Sequence, residues 1–174
     1  MERRNVIVDG VLYLNGSHML AKVKEFEPPE IVQRMAECED LGSLGKYKIP
    51  ILKVDELSTK IVFNSFYASV FENFANPMAA NILSLQYGVA EYENQAMTGL
   101  KTGRLIMRAT AEKLKSLCDL KGQEPGDYPV ELNCSMISHV FAGKEKYYID
   151  IPNRIYRVNG IDLLAAVNAA LGLT

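Results

Sequence analysis

The chain has 174 residues, 48% of them hydrophobic and 23% charged, which suits one domain with a packed core and no need of staples. A net charge of −2 and a pI near 5.8 exclude a general electrostatic attraction to nucleic acid or to an anionic membrane. Cys38, Cys118 and Cys134 are odd in number and widely spaced, which excludes a disulfide framework and metal-ligand spacing and fits free thiols in a reducing cytosol. The first ten residues, MERRNVIVDG, hold two arginines and no long apolar run, so no signal peptide is expected. No stretch is long and apolar enough to span a bilayer, and no membrane partner is expected.

In chain order, VLYLNGSHMLAKVKEF reads as a hairpin turning at Asn15-Gly16, because both residue types accept positive φ cheaply. Residues 27–48 then form a long connection with little regular structure, stiffened by Pro28 and Pro29 and allowed sharp bends by Gly42 and Gly45 around Leu41. IPILKV and LSTKIVFNSF supply strands from Ile49 and from Leu57. YASVFENFA, from Tyr67, breaks the two-residue period and sets Val70, Phe71 and Phe74 at helical spacing, which predicts a short helix. Leu83, Leu85, Tyr87 and Val89 alternate with polar residues, as do Leu105, Met107, Ala109 and Ala111, with Gly99 and Gly103 marking the tip between these two long strands. The polar loop from Cys118 to Pro129 precedes a half-buried strand. That strand has Val130, Leu132, Cys134, Met136 and Val140 on one side and Glu131, Asn133, Ser135 and His139 on the other. AGKE, residues 142–145, turns it back into YYIDI, with Tyr147, Ile149 and Ile151 on one face.

The end of the chain is YRVNGIDLLAAVNAALGL. Asn159-Gly160 is a turn, Asp162 is placed to cap a helix, and Gly172 is a natural stop. Leu163, Leu164, Val167, Ala170 and Leu171 recur at helical spacing and are expected to pack on the chain's own sheet. The opposite side carries Ala165, Ala166 and Ala169, with no charge between Leu163 and Thr174. An ordinary surface helix has a charged outer face, so this one is expected to meet a partner. The predicted architecture is mainly β: a single antiparallel β-sandwich or barrel with a short mid-chain helix and a C-terminal helix.

Catalytic patterns give little return. The two histidines, His18 and His139, have no local triad context, and His139 reads as an exposed or interface residue. GSLGKYK lacks the spacing and the Ser/Thr of a phosphate loop. Glu37, Glu39 and Asp40 read as a solvated acidic stretch. No cofactor, metal or enzymatic activity is expected.

Six landmarks, taken in order, resemble the major tail tube protein of contractile-tailed bacteriophages and the similar tubes of R-type pyocins. They are YLNG at 13–16, EFEPPEI at 25–31, AECEDLGSLGKYKIPI at 36–51, LSTKIVFNSFYASVFENFA at 57–75, YYID at 147–150 and VNGIDLLAAVNAALGL at 158–173. Residues 1–10 look like an N-terminal extension to one tube domain spanning the chain. The resemblance implies homohexameric rings that stack into a hollow tube, with strands of neighbouring subunits joined in a shared barrel around the lumen. It implies Pro28, Pro29, Leu41, Gly42 and Gly45 as an inter-subunit or inter-ring loop. Asn159, Gly160, Asp162, Leu163, Leu164, Ala165, Ala166 and Ala169 become the closing signature and partner face. The implied partners are further copies of the chain, the tail sheath, baseplate and tail terminator proteins, and tape measure protein and DNA in a lumen that does not bind them specifically. The implied place is the virion, assembled in the host cytoplasm. A pyocin or type VI-like tube, a small-ligand β-barrel, and an enzyme whose residues meet only in space are the competing readings.

Overall fold

A computed structural model describes residues 3–42, 44–119 and 126–173. Twelve strands and two helices are described: β1 (Arg3–Leu14), β2 (Ser17–His18), β3 (Val23–Glu27), β4 (Gln33–Cys38), β5 (Tyr47–Val54), β6 (Leu57–Phe63), α1 (Ala68–Ala75), β7 (Asn81–Glu93), β8 (Ala96–Leu114), β9 (Tyr128–Phe141), β10 (Lys144–Asp150), β11 (Ile155–Val158), β12 (Ile161–Asp162) and α2 (Ala165–Ala170). One large antiparallel sheet runs β12-β11-β10-β9-β8-β7-β1-β2, and β6 branches from β9 to carry β3. The mainly-β architecture is as expected. The sheet is open rather than a closed barrel, and its interior is filled by side chains of β1, β6, β7, β8, β9 and β10 beneath α1.

The branch has a local cause. Arg108 pairs with Met136 but Ala109 pairs with Cys134, so Ser135 is an extra residue that bulges β9. Before the bulge the far edge of β9 pairs with β6, from Tyr128 to Cys134; after it the same edge pairs with β10, from Met136 to Phe141. The Ser135 carbonyl accepts the Ile151 N–H at 3.0 Å where the two partners meet. The extra residue also reverses which face points inward. Val130, Leu132 and Cys134 enter the core as expected, but Ile137 then replaces Met136 in it, and His139 turns to the core side.

The turns are mostly of the left-handed kind that matches strand twist. Asn15 and Gly16 have φ of 49° and 86° and join β1 to β2. The Asn15 side chain also accepts the Ile82 N–H at 2.9 Å and donates to the buried Asn81 at 3.0 Å, which ties this turn to the start of β7. The tip between β7 and β8 is Asn94-Gln95, with φ of 52° and 68°, and not the expected glycines. Gly99 and Gly103 lie inside β8.

Residues 3–10, within the segment read as an N-terminal extension, form the first part of β1, laddered to β7 from Arg3↔Glu93 onward. Part of the connection 27–48, expected to have little regular structure, is regular, because β4 and β5 form a separate two-stranded hairpin from Gln33↔Val54 to Cys38↔Tyr47. Pro29 is buried and Pro28 exposed in the stretch that leads into it, and Gly42, with φ of 88°, bends its tip.

Candidate assembly interface

Three parts of the chain project from the packed body. The first is a ribbon made of the N-terminal part of β1, the end of β7 and the start of β8. Val6, Ala90 and Leu100 lie in register across one face, and Ile7, Val89 and Lys101 across the other. Ile7 is 68% exposed and Leu100 61%, although their strands are fully hydrogen-bonded inside the ribbon. Among the described residues no strand lies beside β1 from Asn5 to Val11 on the side away from β7. None lies beside β8 from Met97 to Lys101 on its side away from β7. Such edges present backbone donors and acceptors in rows, a template for pairing with another chain.

The ribbon is anchored where it leaves the body. The Tyr87 ring lies across Gly103 on the neighbouring strand, where a Cβ would stand 2.1 Å from it. Glycine is therefore required at 103 by contact and not by φ. Tyr87 Oη and His139 Nε2 share a hydrogen bond of 2.5 Å, and the Tyr147 ring stands 5.2 Å from the imidazole. Burial, and then Lys146, hold the His139 pKa below its ordinary value; burial pushes the Tyr87 phenol up. This histidine, read from the sequence as an exposed or interface residue, is a half-buried member of an aromatic row.

The second projection is the β4–β5 hairpin. Its root is held by Gln33 Nε2 donating to Tyr156 Oη at 3.0 Å and by Arg34 against Asp55 at 2.5 Å. Opposite charges face each other along it, Glu37 with Lys48 at 3.3 Å and Glu39 with Lys46 at 3.1 Å, and Tyr47 Oη donates to Asp40 at 3.1 Å. Leu41 and Leu44 at the tip are fully exposed. β5 bulges near its end, where Leu52 adopts a φ of 54°, a left-handed conformation that costs a branched residue about 1–2 kcal/mol.

The third is the closing signature. Asn159 and Gly160, with φ of 50° and 82°, turn β11 into β12 as expected. Asp162 Oδ1 accepts the Leu164 N–H at 2.9 Å, one turn ahead of the helix and not as its cap; the cap position belongs to Leu164. Asn168 exchanges hydrogen bonds with Arg154, 3.2 Å from Nε and 3.1 Å to its carbonyl, which holds α2 on the β10–β11 turn. Of the apolar stripe only Leu164 packs against the core. Leu163, Val167 and Leu171 are exposed, the last at 59%, so the stripe expected to sit on the chain's own sheet is largely open. Ala165, Ala166 and Ala169 are exposed as well. A helix of six residues is too short to bury a full stripe against a sheet it touches at one end. Between α2, the hairpin root and the β10–β11 turn lies a recess of about 350 Å³.

Chemistry is sparse. Burial pushes the Cys134 thiol up to about 11, which makes this sulfur a core filler and not a nucleophile. Among the described residues no three His, Cys, Asp or Glu gather as a metal site. Among the described residues no helix is long and apolar enough to cross a membrane. Sequence reasoning located the closing signature and the hairpin tip but missed the ribbon edges and the recess.

The chain is a β-rich subunit with paired interior strands, free edges at its margin and apolar surface on every projection. The model of the phage tail tube protein FII family matches residues 4–172, and the chain belongs to that family. It is a structural subunit of a tail tube. No curated protein matches it. Among solved structures it is similar to the sheath/tube terminator of the extracellular contractile injection system PVC in the extended state, at 13% identity and TM-score 0.57, covering 76% of this chain and 94% of that one. It is also similar to a chain of the sheath–tube complex of the same system, at 12% identity and TM-score 0.55, covering 75% and 87%.

Proposed function

We propose that six copies close into a ring and that rings stack into the tube that conducts phage DNA. The observation that carries this is the ribbon with two unlike free edges. The β1 edge of one copy meeting the β8 edge of the next is a head-to-tail contact, which generates a ring when its rotation closes. Each strand–strand hydrogen bond gained contributes a net of about 0.5–1.5 kcal/mol, and the apolar residues beside the edges add to it. The ribbons of a ring then form the shared wall of the lumen. DNA must slide along that wall without counterion-release binding, so the lumen carries net negative charge.

The β4–β5 hairpin, with Pro28 and Pro29 before it and Leu41, Gly42 and Gly45 at its tip, reaches a neighbouring ring. The alanine side of α2 meets a neighbouring tube subunit or the sheath. Terminator, baseplate and tape measure proteins complete the set of contacts in a virion assembled in the host cytoplasm. Negative-stain microscopy with light scattering tests the reading: rings or tubes are expected. Monomer alone over a wide concentration range, with no rings in native particles, overturns it. Dilution weakens assembly by mass action, so concentration is varied. A basic lumen, or tight salt-sensitive DNA binding by assembled tubes, overturns the account of DNA passage.

A further inference from the structure

The recess beside α2 is lined by the apolar Ile51, Ile149, Tyr156, Leu164 and Val167 and by the cations Arg34, Lys53 and Arg154, of which Arg34 is already paired with Asp55. Its one carboxylate, Asp150, is buried and already held by Asn153 at 2.8 Å and by Arg108 at 3.8 Å. At the other end of the same hairpin, Leu41 and Leu44 stand fully in solvent; Glu37 and Glu39 are paired with Lys48 and Lys46, which leaves Asp40 as the acid without a cation and the tip with net negative charge. We infer that the recess receives the hairpin tip of a second copy, a tip leucine entering between α2 and β5 while Asp40 of the tip faces the cations that line it. This rests on the tube reading above and names the surface that the hairpin meets.

Two features select a second copy of this chain. Charge and polarity match, an acidic apolar tip against an apolar recess with cations in its lining. Geometry forbids a subunit from filling its own recess. The recess is at the hairpin root, and the β4–β5 ladder from Gln33 to Cys38 separates root from tip by roughly 20 Å of extended chain. The contact therefore joins the head of one copy to the root of the next. Repeated without closing on itself, such a head-to-tail contact adds copies in one direction, which is the behaviour of an open stack. Leu52, in its left-handed conformation, shapes the β5 side of the recess, so strain is kept where a partner would be seated.

The test uses the full chain with Cys38→Ser and Cys118→Ser, adding Leu44→Cys on the tip and Val167→Cys in the recess. Mild oxidation of assembled material should give a ladder of covalent multimers on a non-reducing gel from the double-cysteine chain and none from either single one. Tubes that form normally from the double-cysteine chain but leave no ladder overturn the inference, give the recess to another occupant such as the sheath, and leave the tube reading standing. Failure of the unmodified chain to assemble at all sinks both. Charge exchange decides the matter without cysteine chemistry. Lys53→Glu should raise the concentration needed for assembly about tenfold, with subunit melting unchanged, and Asp40→Lys added to it should restore assembly. A Lys53→Glu defect that Asp40→Lys leaves unrelieved counts against the inference.

Discussion

The packed body and the three projections are built from the same kind of sequence and reach opposite ends. In the body, Phe63 is buried among Tyr67, Phe71 and Phe74, with ring centroids 5.8–6.4 Å away, and Leu57, Ile61, Leu83 and Met107 are out of reach of water. In the ribbon, the hairpin and α2, residues of equal hydrophobicity stand in solvent: Ile7, Leu100, Leu44, Leu171. In the assembly proposed above, apolar residues serve burial at two levels, the body within one chain and the projections between chains. The first level should set whether the subunit folds and the second whether it assembles.

That division can be broken or sharpened by substitution. Phe63→Ala should cost about 3–5 kcal/mol, because it empties the aromatic centre beneath α1, and thermal melting of dilute subunit reads the loss. A melting point left unchanged would mean that the body is not the stability unit. Gly103→Ala should cost about 1–3 kcal/mol, since the new Cβ must push the Tyr87 ring off its hydrogen bond with His139. Leu164→Ala should cost less, about 1–2 kcal/mol, because this leucine is only partly buried.

His139 contributes a smaller, pH-dependent effect. Its pKa is lower in the folded subunit than the ordinary 6.5, so the unfolded chain binds more protons. Stability is full above about pH 6.5 and declines as pH falls from there toward the folded value, and His139→Gln should flatten that acid limb in melting curves. Least of all, Ala166→Glu and Ala169→Glu should move melting by no more than about 0.5 kcal/mol, as exposed substitutions do. Tube yield should nevertheless fall steeply, since a charge in a dry contact is expensive when unpaired. Wild-type tube yield from both would show that this face is ordinary surface and end the second half of the comparison.

The same division explains what was legible in the sequence. The period-two runs of β7, β8 and β10, the run of β9 as far as Cys134, the helical spacing of Val70, Phe71 and Phe74, and the Asn-Gly turns at 15–16 and 159–160 read correctly, because each is a local rule obeyed within one chain. IPILKV was legible as the strand that became β5, but β4 and its pairing with β5 were not, since neither face of that hairpin is covered by the subunit and its burial pattern carries no clean alternation. The β7–β8 tip was misplaced because Asn94-Gln95 takes positive φ without a glycine, while the nearby glycines serve other ends. The bulge at Ser135 was invisible for a different reason. One extra residue is defined by its partners, β6 before it and β10 after, and those are set far away in sequence. The closing stripe misled because helical spacing tells which residues share a side, not whether anything lies against that side. The recess joins β5, the β10–β11 turn and α2, so no single stretch could announce it.

The ladder between β1 and β7 also sets a timetable. Asn5 pairs with Glu91, so the early part of β1 leaves the ribosome some 80 residues ahead of its partner strand, a wait of roughly 4–16 s at common elongation rates. Throughout that interval Val6, Ile7 and Val8 form a bare apolar triplet of high strand propensity on a nascent chain, while other copies are being made on the same message. The arginines at 3 and 4 and the aspartate at 9 bracket the triplet, in the position where charged gatekeepers blunt aggregation. The edge that would later recruit a neighbour is thus the segment most exposed to premature capture, and translation speed enters the yield of native subunit as directly as any contact in the finished fold.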